Sequence, residues 1–383
     1  MLKYNYTMRI FVFFALLVLF FTLANWYIYK RFLSRVVFLK SYKKIILIFI
    51  FVVLILEIIF FINMRGDFLH EKLYYILAIF PTITCFFLLF GLIFEFGTWI
   101  FFNENKKEQI FNSQRRKFLK LIFDSWLIIL SVSMVFKGFA NAISTPRVNE
   151  IDIKIKNLKK NLNIALLTDV HLGKNLGEDF LKTLIDEVNA LNVDMVIIAG
   201  DLIDADIASM PYVDLLENFK SKYGTYYVYG NHEYYNNINA IGQKLKTLKN
   251  FKVLEDESID FGDFTLSGTL DLSAKRLGCK ESSIEKIKTQ INQEKVNILI
   301  THQPKYVKTY DVSNFDLILS GHTHAGQIFP FSLLVYLEQG FVYGLYKLSK
   351  DSLLYVSSGA GFWGPAVRFL APSEIALIRL QGE

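Results

Sequence analysis

Leu319-Ser320-Gly321-His322-Thr323-His324-Ala325-Gly326 ends a short apolar run on two histidines one residue apart. The chain holds six histidines, and three more follow runs of the same kind: Asp169-Val170-His171, Gly230-Asn231-His232-Glu233 and Thr301-His302-Gln303-Pro304. His70 alone stands apart. Gly200-Asp201 closes another apolar run, Asp194 to Ala199. In an open α/β sheet, side chains just past the carboxyl ends of strands converge on one crevice, so five polar motifs in this position predict one shared site.

The segments around these motifs alternate between strand and helix patterns. Ile151 to Lys156 alternates with period two, as a half-buried edge strand does, and Leu162 to Thr168 is a continuous buried strand. Further strands are expected over 194–199, 226–229, 251–254, 264–270, 296–300, 316–319, 353–357 and 375–380. Helical spacing appears over 180–191, 212–222, 238–248 and 284–291. This order predicts an α/β domain with helix-covered sheets over residues 147–383. Ile328 to Tyr346, rich in Phe, Leu, Tyr and Val, is expected to be core and strand. The alternative is an apolar lip that holds the lipid part of a substrate.

Imidazole nitrogens and carboxylate oxygens are ligands for Zn, Mn and Fe. Two aspartates, one asparagine and four histidines, apart from His232, are too many for one ion, and two ions fit better. A carboxylate between two cations holds them ~3.5–4 Å apart, which suits clamping the attacking and leaving oxygens of a phosphate ester in hydrolysis. Asp204, Asp206 and Asp271 lie near the motifs and are read as solvated loop acids, with an orienting role for a ligand as the alternative. Glu233 is read as orienting the Asn231-His232 loop.

Asp169-x-His171, Gly200-Asp201, Gly230-Asn231-His232-Glu233, His302 and Gly321-His322-x-His324 together resemble the full motif set of the calcineurin-like metallophosphoesterase superfamily. Gly326-Gln327 and the segment from Gly359 to Pro372 resemble its membrane-associated bacterial phosphodiesterase branch. The resemblance implies a four-layer α-β-β-α sandwich with a dinuclear metal site at one edge. It assigns Asp169, His171 and His324 to one ion, Asp201 to the bridge, and Asn231, His302 and His322 to the second. It leaves His232 as a catalytic residue near the leaving-group oxygen, while a metal-bridging hydroxide attacks phosphorus.

The N-terminal third differs in composition. Of 383 residues 52% are hydrophobic and 16% aromatic, and the apolar excess lies before residue 147. Residues 1–146 carry 17 Lys+Arg against 7 Asp+Glu, and 147–383 carry 25 against 29, so the net charge of +6 belongs to the first part. A mildly acidic domain lacks the basic field of a nucleic-acid binder. Cys85 and Cys279 form neither a disulfide framework nor a zinc site. Four transmembrane helices are expected at about 10–29, 45–62, 73–102 and 121–143, which makes residues 1–146 an all-α transmembrane region. Glu57, Glu95 and Asp124 lie toward the ends of their segments, where interfacial positions are expected.

The loops over 30–44 and 103–120 each contain six basic residues, whereas that over 63–72 is balanced. This places the first two in the cytoplasm and the domain from 147 onward on the periplasmic side of a bacterial inner membrane. Gln114-Arg115-Arg116-Lys117-Phe118-Leu119-Lys120, with Ala140-Asn141-Ala142 beyond an apolar stretch, resembles a twin-arginine export signal. The expected protein is a metallophosphoesterase hydrolysing a phosphoester or pyrophosphate with two divalent cations (Mn, Fe or Zn). Its expected partners are the membrane and a lipid-linked phosphate, with no nucleic acid. The alternative is a catalytically idle metal-binding sensor module, and a second rival keeps the enzyme in the cytoplasm.

Overall fold

Leu162, Ile164 and Leu166 alternate with Ala165 and Leu167, and the two sets face different cores. The computed structural model, which describes residues 2–63, 70–102, 113–349 and 352–382, builds its domain on this alternation. Its strands are β1 (Arg147–Ile155), β2 (Leu162–Leu167), β3 (Met195–Ala199), β4 (Thr225–Val228), β5 (Phe251–Val253) and β6 (Glu257–Asp260). They continue with β7 (Phe264–Gly268), β8 (Val296–Ile300), β9 (Leu317–Ser320), β10 (Gly344–Lys347), β11 (Leu353–Val356) and β12 (Glu374–Gly382).

Two six-stranded sheets result, ordered β1-β12-β2-β3-β4-β5 and β10-β11-β9-β8-β7-β6. Between them lie Ile164, Leu166, Ile197, Val228, Leu266, Ile298 and Leu319. Burial on both faces explains the unbroken apolar runs. β2, β3 and β4 are parallel neighbours, as are β8 and β9, so within each sheet their carboxyl ends share an edge.

The helices are α1 (Leu2–Tyr27), α2 (Lys43–Asn63), α3 (Glu71–Leu77), α4 (Ile79–Phe102), α5 (Ser113–Ile143) and α6 (Glu178–Ala190). Then come α7 (Asn231–Tyr235), α8 (Ile238–Leu245), α9 (Ser273–Arg276), α10 (Ile284–Lys288), α11 (Tyr306–Thr309) and α12 (Ser332–Gln339). Leu181, Leu184 and Val188 of α6 and Ile241 and Leu245 of α8 pack on the outer face of the first sheet. Ile284 and Ile287 of α10 and Tyr306 of α11 cover the second. The result is the expected four-layer α-β-β-α sandwich.

The chain divides into two compact units, Met1–Ala140 with Gly364–Val367, and Asn141–Trp363 with Arg368–Glu383. Among the described residues four segments are long and apolar enough to cross a membrane, Phe14–Arg35, Val37–Asn63, Ile79–Phe101 and Gln114–Ile143, the last ending just beyond the first unit. The apolar stretch read as one span over 73–102 is broken at Ala78 into α3 and α4. Pro81 explains the break, because its ring clashes with the carbonyl four residues back, at Leu77, and it lacks the N–H that a continuous helix would use. The basic loop over 30–44 is a run of π- and 3₁₀-helical turns rather than open loop, with Phe32, Leu33 and Val36 buried. Residues 64–69 of the balanced loop and 103–112 of the second basic loop lie outside the described residues.

Glu57 and Asp124 are buried and partnered. Asn25 Nδ2 donates to Glu57 Oε2 at 2.6 Å, while Lys120 Nζ lies 2.9 Å from Asp124 and Val37 N donates to Asp124 at 2.8 Å. Tyr27 OH donates to Glu95 at 2.7 Å, and Arg31 pairs with the same carboxylate.

Two readings in the domain change. Residues 211–218 form a 3₁₀ helix in place of the helix read over 212–222. Within 328–346, Ile328 is buried and residues 344–346 lie in β10 as read, but Ser332–Gln339 form α12 with Leu333, Leu334, Tyr336 and Leu337 exposed, so this part is neither strand nor core. Leu, Glu and Gln favour helix, and Gly340 at φ 79° supplies the left-handed residue that ends it.

Candidate metal centre

The turns that leave β2, β3 and β9 are tight and strained. Asp169, His171, Asp201, His322 and His324 all take positive φ, between 48° and 71°. Such conformations cost of the order of 1–3 kcal/mol each in non-glycine residues and concentrate at functional sites. Two motif glycines make room for the ligands themselves. A Cβ on Gly321 would lie 2.5 Å from Asp169 Oδ2, and one on Gly230 would overlap the Asp201 carboxylate and amide.

All seven ligand candidates read from the sequence meet here. In one group, His171 Nε2 and His324 Nε2 lie 3.0 Å apart, and His324 Nε2 lies 3.4 Å from Asp169 Oδ1. Asp169 also accepts from the His322 backbone N–H at 2.9 Å and from the Thr168 hydroxyl at 2.6 Å, which fixes its orientation.

In the second group His302 Nδ1 donates to the Ala199 carbonyl at 2.8 Å, so Nε2 turns outward and would offer a lone pair once its proton is displaced. Facing Nε2 are Asp201 Oδ2 and Asn231 Oδ1, each at 3.1 Å, and His322 Nδ1 at 3.2 Å. Electron-pair donors crowded on one point repel one another unless a cation sits among them. The donor set therefore fits a divalent ion such as Zn, Mn or Fe. Asp201 Oδ2 is also 3.9 Å from His171 Nε2, so its carboxylate faces both groups.

Charge follows the same division. Burial opposes ionisation of Asp201, but the His302 and His232 rings outweigh it and hold this carboxyl well below the usual range. Burial likewise opposes charge on His302, and the Asp201 carboxylate overrides it and raises the ring well above an ordinary histidine. Burial and neighbouring His302 lower His322, while burial and the Arg368 guanidinium hold His324 far down. Both stay neutral, the form a metal accepts.

His232 lies beside the two groups. Its Nδ1 is 2.8 Å from Asp204 Oδ1 and its Nε2 4.0 Å from Asp201 Oδ2, while its ring packs edge-on against Trp363 and Tyr235. Burial disfavours its charge, yet the Asp204 and Asp201 carboxylates prevail and raise it to about 9. Asp204 is thus no solvated loop acid. It stands between His232 and His171, 3.6 Å from His171 Nδ1. Asp271 is not solvated either, since it is buried and accepts from Gln303 Nε2 at 2.9 Å; Asp206 is the surface acid of the three. Glu233 accepts from the N–H groups of Gly230, Ile203 and Asp201 at 2.8, 2.8 and 3.2 Å, which ties the two motif loops together.

Arg368 was not visible as a site residue in the sequence. Completely buried, it reaches His324 Nδ1 at 3.0 Å, the His324 carbonyl at 2.9 Å and the Ser358 carbonyl at 2.8 Å. The available signal was an arginine inside an apolar, glycine-containing run, because a buried charge persists only where it is bonded on several sides.

A family model described as calcineurin-like phosphoesterase matches residues 162–326. The chain is 46% identical over 379 residues to an uncharacterised metallophosphoesterase of Campylobacter jejuni, covering 98% of this chain and 100% of that protein. To an uncharacterised metallophosphoesterase of Helicobacter pylori it is 45% identical over 272 residues, 70% of this chain and 73% of the other. A transmembrane protein with metallophosphoesterase domain from Danio rerio is 28% identical over 385 residues, 94% of this chain and 86% of that protein.

Proposed function

Since this chain belongs to the calcineurin-like phosphoesterase family, a family of metal-dependent phosphoric ester hydrolases, we propose that it works with two divalent cations on a lipid-linked phosphoester or pyrophosphate at the periplasmic face of a bacterial inner membrane. It is a membrane protein with four candidate spans. The observation that carries the two-ion reading is the placement of Asp201, whose Oδ2 is 3.1 Å from His302 and 3.9 Å from His171. Asp169, His171 and His324 would hold one ion, Asn231, His302 and His322 the other, and Asp201 would bridge them.

When bound, the cations supply Lewis-acid charge that acidifies water and neutralises phosphoryl oxygens. The chain's own residues do the rest. Glu233 locks the loop of Asn231 and His232 to that of Asp201. Asp204 orients His232 and favours its charged form, which keeps a proton available for the departing oxygen at neutral pH. His322 and His324 keep neutral rings turned toward the centre.

The lipid-linked substrate is supported by the membrane anchor, and the acidic balance of 147–383 disfavours nucleic acid. The basic residues over 30–44 and 113–120, with Arg115 and Arg116 opening α5 as an internal export signal, support a periplasmic domain. A C-terminal reporter fusion tests the side. Metal-loaded full chain assayed on a lipid phosphate in micelles and on soluble diesters tests the substrate; cleavage of soluble diesters alone refutes the lipid reading. Loss of activity with chelator, and loss in His232→Ala at unchanged metal content, is expected of an enzyme, whereas unaltered hydrolysis in His232→Ala rejects the assigned role.

A further inference from the structure

Among the described residues of the domain after Arg147, ten large apolar side chains are exposed, and all ten lie between Phe329 and Leu370. Six of them, Phe329, Phe331, Leu333, Leu334, Tyr336 and Leu337, stand on or just before α12. The most exposed is Leu337, at 79%. Soluble surfaces scatter such residues singly, so their confinement to one segment marks an interaction face. Glu338 is the only acid between Phe329 and Tyr343, and it pairs with Lys305 at 2.9 Å, so α12 contributes no unpaired negative charge. Beside α12, a cavity of about 280 Å³ is lined by Leu334, Val335, Gln339 and His322. The apolar helix thus borders the metal centre.

We infer that this face docks on the lipid bilayer that the chain's own helices span, so that the metal centre works at the membrane surface. The inference rests on the membrane reading of the four helices and is independent of the phosphohydrolase chemistry. Chain length selects the occupant. The last span ends at Ile143 and β1 begins at Arg147, a stretch that reaches at most about 14 Å even when fully extended. The domain therefore begins at the edge of the bilayer. Leucine and phenylalanine flanked by Tyr336, Tyr343 and Trp363 is the composition that settles at the boundary of headgroups and acyl chains.

The test uses the full chain in vesicles of phosphatidylethanolamine and phosphatidylglycerol, with Cys85→Ser and Cys279→Ser as background. A nitroxide is placed in turn at Leu333→Cys, Leu337→Cys and, on the exposed Lys249, Lys249→Cys. Paramagnetic relaxation by oxygen and by a water-soluble nickel chelate then reports the surroundings. Greater access to oxygen than to nickel at 333 and 337, with the reverse at 249, is the expected result. Nickel access at 333 and 337 equal to that at 249 overturns the inference. Exclusion of both reagents overturns it too, since that pattern belongs to a protein partner such as a second copy. The readout requires no catalysis, so a failure here is separable from a failure of the proposed activity.

Discussion

Asp204→Asn keeps the shape of the side chain beside His232 and removes its charge. The two groups are 2.8 Å apart, and Asp204 is about one-quarter exposed, with a side-chain exposure of 29%. An opposite charge this close shifts a histidine by about 1–3 pKa units. At about 1.36 kcal/mol per unit, the carboxylate accounts for about 1.4–4 kcal/mol of preference for the protonated ring. The sign follows from the raised value. His232, lifted to about 9, keeps its proton below that pH and loses it as pH rises through it. Without the charge, the proton is lost at lower pH. The assay is the pH profile of kcat/KM for metal-loaded full chain on a soluble diester, with metal content measured in parallel. The alkaline limb is expected to move down by about 1–3 units at constant metal content. A limb that stays in place would refute both the proton-donor role and the dependence on Asp204.

Gly230→Ala drives a methyl group into the Asp201 carboxylate, so bound metal should fall, with an overpacking cost of about 1–3 kcal/mol read as a lower melting temperature. Elemental analysis showing full metal content would contradict this. Arg368→Met leaves the His324 and Ser358 carbonyls without their buried donor, at about 1–3 kcal/mol each, and melting is expected to fall while added Mn²⁺ restores less stability than in the parent. Equal Mn²⁺ stabilisation in both proteins would remove Arg368 from the metal centre. Because Asp201 raises His302 in the absence of an ion, a cation must displace that proton. Calorimetric affinity should therefore weaken on acidification, and a flat profile would exclude His302 as a ligand.

The strands and the convergence of the candidate ligands were legible for one reason. Buried strands such as Leu162–Leu167 and Val296–Ile300 are apolar on both faces, and each stops at the polar residue that enters the site. Resemblance to a known motif set assigned Asp169, His171 and His324 to one ion, Asp201 to the bridge, and Asn231, His302 and His322 to the second; the coordinates cluster Asp169 with His171 and His324, and Asp201 with His302 and His322. Interactions across long sequence separations were not legible. Asp204 looks like any loop acid until the fold sets it against His232, and Arg368 lies 44 positions from the ring it touches. Hydropathy alone also misjudged 332–339, because apolar residues facing outward on α12 have the composition of a core strand. In the helical unit it could not foresee that Glu57 and Asp124 are buried with partners, since one acid in an apolar run carries no trace of Asn25 or Lys120.

Titration of the metal-free full chain with Mn²⁺, followed by the rate of phosphodiester hydrolysis, tests the two-ion phosphohydrolase most directly. The rate is expected to rise until two equivalents are bound and then hold, because Asp201 faces both ligand groups. Saturation at one equivalent, or no hydrolysis at any loading, would contradict the account.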